Sequence, residues 1–201
     1  MMNNFTRRSM LGTSVAGAFA TLLPLPAFAL TEARAKALVD QVVADINRVI
    51  ASGKSVNAMI SDFERIFGRY ADVNIIARST LGQDARRASS AQLRAFTTTF
   101  RSYIARKYGK RFREFIGGKI EVKGVRKVKS WHEVQSTVYL RGSSPFQVLF
   151  LVSDRSGKDL FFDMVIEGVS LRLSERTEIG AILDRNKGNI DGLISDLKRA
   201  G

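Results

Sequence analysis

At Gly117-Gly118 the hydrophobic period of this chain changes from 3.6 to 2. One element cannot satisfy both periods, so the chain must fold as two kinds of structure joined near these glycines. Before them, apolar residues recur at helical spacing. Leu38, Val39, Val42, Val43, Ile46, Val49 and Ile50 predict a helix over 31–52, capped by Thr31 and stopped by Gly53. Further helices are expected over 56–70, 72–81 and 90–116. After the glycines, 119–128, 133–140, 146–153 and 159–173 read as strands separated by hairpin-length turns. Ser174 then caps a helix through Leu183, and a last helix covers 190–199. Helices that precede and follow a run of strands define the class as α+β: a twisted antiparallel four-stranded meander packed by N- and C-terminal helices.

Two of these strands break the usual alternation. A sheet with one wet face alternates apolar and polar residues, yet 146–152 and 160–166 are apolar on both faces. One face can pack on helices. The other needs cover as well, from more protein or from an apolar ligand held in a cavity.

The first thirty residues bear on where the chain works. Arg7 and Arg8 form a basic start, residues 10–25 are apolar and rich in small side chains, and Ala27-Phe28-Ala29 is an A-x-A cleavage site. That is the pattern of a secretory signal peptide, 1–29, removed to leave one domain, 30–201. The order Thr6-Arg7-Arg8-Ser9-Met10-Leu11 resembles a twin-arginine signal, and a general secretory signal also satisfies it. Thirty basic and 19 acidic residues would remain, a net charge of +11. An anionic partner is implied, and outside the cytoplasm that means lipid head groups or acidic protein surfaces, not nucleic acid.

Chemistry is poorly represented. The absence of cysteine excludes disulfides, thiol nucleophiles and cysteine metal sites, and a lone histidine, His132, excludes a His-rich metal site. Trp131-His132 is expected in a surface turn. Asp163 and Glu167 fall on one face of a strand, and at ~3.3 Å per residue their Cα atoms are about 13 Å apart. A glycosidase pair needs its carboxyl groups within about 5–9.5 Å, so each is expected to pair with a basic side chain instead. No metal and no cofactor is expected. Basic residues gather over 107–113 and 119–129, where they can form a solvated, aggregation-resistant surface or a rim that meets a membrane.

The run Asp163-x-x-Ile166-Glu167-Gly168-Val169-Ser170-Leu171, followed by Arg176 and by Asp191-Gly192-Leu193-Ile194-Ser195-Asp196-Leu197, resembles the MlaC family of periplasmic lipid-asymmetry proteins, also called toluene-tolerance proteins. The segment 103–115 is similar as well. A Trp often found about four residues before the Asp is Asp159 here. The resemblance implies a periplasmic carrier, with no enzymatic activity, that holds phospholipid tails in a cavity between helices and sheet. It would work as a monomer, touch membranes transiently, and pass lipid between an outer-membrane lipoprotein or porin complex and an inner-membrane ABC transporter with an MCE-domain ring. Some relatives are associated with hopanoids, which adds a polycyclic cargo. On that reading the cavity lining is expected at Phe96, Phe100, Val148, Phe150, Phe162, Met164 and Ile166. The head-group or partner rim is expected at Lys107, Lys110, Arg111 and Lys127. Two other classes compete: a small exported hydrolase or isomerase using Asp163 with His132, and a basic adaptor with a filled core and no ligand.

Overall fold

A computed structural model describes residues 29–201. The expected leader lies outside the described residues, except for Ala29. Four helices come first: α1 (Glu32–Ile50), α2 (Val56–Tyr70), α3 (Val73–Leu81) and α4 (Ser90–Gly109). Each begins where a short polar side chain can take an otherwise orphaned backbone N–H. Thr31, Ser55, Asp72 and Ser89 do this, and Ser89 and Gln92 complete a reciprocal capping box on α4. The helix expected over 90–116 is shorter than its apolar stripe suggests. It gives way after Gly109 to a 3-10 stretch, Lys110–Phe115. At Gly109 a Cβ would stand 2.8 Å from Ile60 Cγ1, so glycine allows α4 to approach α2 this closely.

The sheet contains β1 (Lys119–Val128), β2 (Trp131–Tyr139), β3 (Phe146–Ser153), β4 (Leu160–Ile166) and β5 (Val169–Ser170), antiparallel and in sequence order. The expected meander of four strands is therefore five-stranded. Glu167 and Gly168 both have positive φ, 49° and 81°, the requirement of a two-residue type I′ hairpin turn. That turn folds Val169 and Ser170 back onto β4, and Ser170 Oγ then accepts the Leu173 N–H to start α5 (Leu171–Arg185). Residues 171–173 are thus helical, and Ser170, not Ser174, is the cap. α6 (Ile190–Arg199) closes the chain.

The helices pack on one face of the sheet, chiefly α1 across β1 and β2 and α5 along β4. The sheet and the helix layer are also joined through backbone: the Asp72 N–H donates to the Phe161 carbonyl at 2.8 Å. The buried side chains form one continuous cluster running from α1 through the sheet to α6. On β2 burial alternates, with His132, Val134, Ser136 and Val138 inward. Trp131-His132 therefore opens a strand rather than sitting in a surface turn. On the opposite face Leu149, Leu151, Phe162 and Val165 stay half-buried, so among the described residues no second layer seals the doubly apolar strands.

Candidate functional site

Between the sheet and the helices lies a cavity of about 250 Å³. Its sheet wall is built from Ile120, Val138, Phe146, Val148, Phe150, Met164 and Ile166. The cross-strand pairs Val148–Ile166 and Phe150–Met164 place four of these side by side. The helices supply Ile46 from α1, Phe63 from α2, Ile104 and Tyr108 from α4, and Leu171 from α5. Arg111, Glu114 and Phe115 of the 3-10 stretch, with Leu140, complete the lining. Apart from Arg111, Glu114 and the Tyr108 hydroxyl, the side chains are apolar. A largely apolar wall of this kind suits an apolar guest.

Of the seven expected lining residues, Val148, Phe150, Met164 and Ile166 are brought together here and three are not. Phe96 and Phe100 are fully buried against each other, ring centroids 5.8 Å apart, in the part of α4 that packs on other helices. The cavity receives the next turns of the same stripe, Ile104 and Tyr108. Phe162 is turned outward by an irregularity in the β3–β4 register between Leu151 and Val152. Phe161 faces Phe150 and Phe67 in the core, while Phe162 stands edge-on to Trp131 at 6.2 Å. A one-residue shift of phase moves a side chain to the other face. Sequence reasoning missed Ile46, Phe63, Ile120 and Val138 because they come from elements whose apolar stripes serve the core and the cavity alike.

The expected rim is dispersed. Arg111 is at the cavity and pairs with Glu114 at 3.2 Å. Lys127 is about 23 Å along β1 from the lining residue Ile120. Lys110 donates to the C-terminal Gly201 carbonyl at 2.5 Å. Lys107 is drawn inside. It donates to Glu175 at 2.8 Å and to Tyr103 at 3.1 Å, and it also pairs with Glu178. The Tyr108 hydroxyl donates to the same Glu175 oxygen at 2.5 Å. Glu175 is wholly buried, and this network ties α4 to α5 behind the cavity. Burial first, then the bonds to Glu175, push the Tyr108 phenol well above its ordinary range, so it remains a donor at any physiological pH. For Lys107, burial opposes the charge, but the two glutamates prevail and hold the amine above its usual value.

The two carboxylates expected on one strand have separate structural roles. Asp163 is buried and accepts from the Ser170 hydroxyl at 2.6 Å and the Arg172 N–H at 3.0 Å, with the Arg172 guanidinium 3.5 Å away. It thus binds β4 to the start of α5. Glu167 is not on a strand and forms no ion pair among the described residues. Its side chain accepts the Gln147 N–H at 2.7 Å and steadies the hairpin turn. Among the described residues His132 is buried with no partner on Nδ1, and Asp163 makes no hydrogen bond to it.

A five-stranded antiparallel sheet packed on one face by helices, with a mostly apolar pocket between them, defines a small α+β protein. The MlaC protein family matches the chain over residues 36–199, and the chain belongs to that family. In fold it is similar to the phospholipid-binding protein from Ralstonia solanacearum, solved in complex with a phospholipid. The TM-score is 0.70 and the identity 19% over 82% of this chain and 95% of that one.

Proposed function

We propose that this protein is a lipid carrier that takes phospholipid acyl chains into the cavity between sheet and helices. The observation that carries the proposal is the apolar wall formed by Val148, Phe150, Met164 and Ile166 facing Ile46, Ile104 and Leu171. Membership of the MlaC family and the fold shared with a phospholipid-binding protein support it. On this reading Phe96, Phe100 and Phe162 support the cavity without touching the cargo.

The energetics suit a carrier. Burying about thirty methylenes is worth roughly 24 kcal/mol against water, beyond the reach of non-covalent affinities. A bilayer offers nearly the same burial, so exchange between bilayer and cavity is close to balanced and only a small bias sets its direction. The cavity, about 250 Å³, lies just below the ~300 Å³ lower end of ligand pockets, so uptake of acyl chains has to widen it.

The leader, once cleaved, would release the protein into the periplasm. The partners we infer there are an outer-membrane lipoprotein or porin complex and an MCE-domain ABC transporter, with a phospholipid or a hopanoid as cargo. Transient contact with an anionic membrane surface fits the exposed apolar side chains. Among the described residues these are Ile116, Val169 and Leu173, each within three residues of the lining residues Phe115, Ile166 or Leu171.

The test is native mass spectrometry of the protein purified without detergent from an exporting bacterium. Adducts at phospholipid or hopanoid masses, lost on denaturation, are expected. Met164→Trp, which fills the cavity, should remove them while leaving the circular dichroism unchanged, and His132→Ala should keep them. A bare mass that also takes no lipid from liposomes would sink the carrier reading.

A further inference from the structure

The junction between the expected leader and the folded chain carries a second kind of site. Ala29 is exposed, whereas Leu30 is 9% exposed and belongs to the core cluster. The Leu30 main-chain nitrogen donates to Asp154 Oδ2 at 2.9 Å. Exposure therefore changes across the very bond that the A-x-A pattern marks for cleavage. A carboxylate already stands at the nitrogen that cleavage would free.

We propose that Asp154 is the receptor for the α-ammonium group of the processed chain, so that cleavage between Ala29 and Leu30 creates an ion pair that locks α1 onto the β3–β4 loop. A peptidase hydrolyses the bond: water supplies hydroxyl to the Ala29 carbonyl carbon and a proton to the Leu30 nitrogen, which takes a further proton from solvent near neutral pH. The donor stays where it is, held by the buried Leu30 side chain, and changes from a neutral amide to an ammonium. The carboxylate already strengthens this bond as an ionised acceptor, and cleavage adds the Coulombic attraction of a full positive charge on the donor.

The surroundings balance the new charge. On α1 the nearby ionisable groups are Glu32 and Arg34, and Arg34 is already bound to Asp159 at 2.7 Å. On the loop they are Arg155, Lys158 and Asp159. Asp72, which joins the start of α3 to β4, is committed to capping α3 through the Ile75 N–H at 3.1 Å. The unprocessed chain offers Asp154 only an amide, so maturation itself adds stability.

The proposal rests on the export reading but not on the carrier reading, and the experiment keeps them apart. N-terminal sequencing of the exported protein should begin at Leu30; any other start overturns the proposal. Asp154→Asn retains an acceptor but loses the charge. In the exported protein at pH 6 it should lower the melting temperature by about 3 °C. A free α-amine titrates near pH 7.7–8.0, and pairing raises that value in the folded state. The stabilisation is therefore complete below about pH 7.7 and fades as pH rises through the raised folded value. The gap between the native protein and Asp154→Asn should narrow toward pH 10. In the leader-bearing chain, made without export, the gap should be smaller and independent of pH. A pH-independent gap in the exported protein, or equal gaps in the two forms, would overturn the idea, whatever the cargo measurements show.

Discussion

The Asp163 carboxylate gathers donors from two elements, the Ser170 hydroxyl and the Arg172 N–H, and has an arginine beside it. Asp163→Ala would leave buried donors without an acceptor, which costs about 3 kcal/mol. Urea unfolding should register that loss, and Asp163→Asn should recover part of it. Asp45 permits a prediction with a pH sign. The Tyr70 hydroxyl, 2.8 Å away, is the main cause holding its carboxyl below 3.8. Burial opposes this, and Arg48 and Arg69 assist. A depressed carboxylate contributes stability above its unfolded value and loses it as pH falls through the folded one. Tyr70→Phe should therefore destabilise by about 1 kcal/mol at pH 7. The difference from the native protein should shrink in unfolding curves recorded below pH 3.8.

The hairpin between β4 and β5 decides where strand gives way to helix. Its Glu167-Gly168 pair needs two left-handed residues, which explains why a run that reads as one long strand breaks there. Gly168, at φ 81°, has open space around the position of a Cβ, so Gly168→Ala meets only backbone strain. It should cost about 1 kcal/mol. Gly180 in α5 is also surrounded by open space and has no left-handed φ, so Gly180→Ala should stabilise by about 0.5–1 kcal/mol. Opposite signs for two Gly→Ala changes in thermal unfolding would separate backbone conformation from packing. Ser170 joins the two elements as the second strand residue of β5 and the cap of α5. A hydrogen-bonded cap of this kind overrides the strand-like spacing of Val169, Leu171 and Leu173.

For the whole molecule, the sheet separates the face that lines the cavity from an outer face. Trp131, the single tryptophan, lies on the outer face against Phe162, away from the cavity. Lipid loading should therefore leave its emission maximum almost unchanged. In Tyr108→Trp, whose new side chain would line the cavity, the maximum should shift to the blue when lipid is added. Loading should also raise the melting temperature of the native protein, because cargo binds only the folded state. A shift of Trp131 emission as large as that of the cavity reporter would mean that cargo lies on the outer face.

The periodicities determined most of which stretches are helix and which are strand, the start of α5 and the end of α4 excepted. The spans 56–70, 119–128, 146–153 and 190–199 fold with the boundaries their spacing implies, because each bears a single period between polar or glycine stops. The α+β class follows from their order. Two things were decided only in three dimensions. One is which apolar residues face the cavity: Phe100 and Ile104 share one stripe, and only the crossing of α4 over its neighbours puts the first in the helical core and the second at the wall. The other is the phase of β4, where a shift in pairing with β3 sends Phe162 outward and keeps Met164 inside. Hydrophobic spacing records that a side chain leaves water. It does not record whether that side chain meets another side chain or an empty space, because burial favours both in the same way.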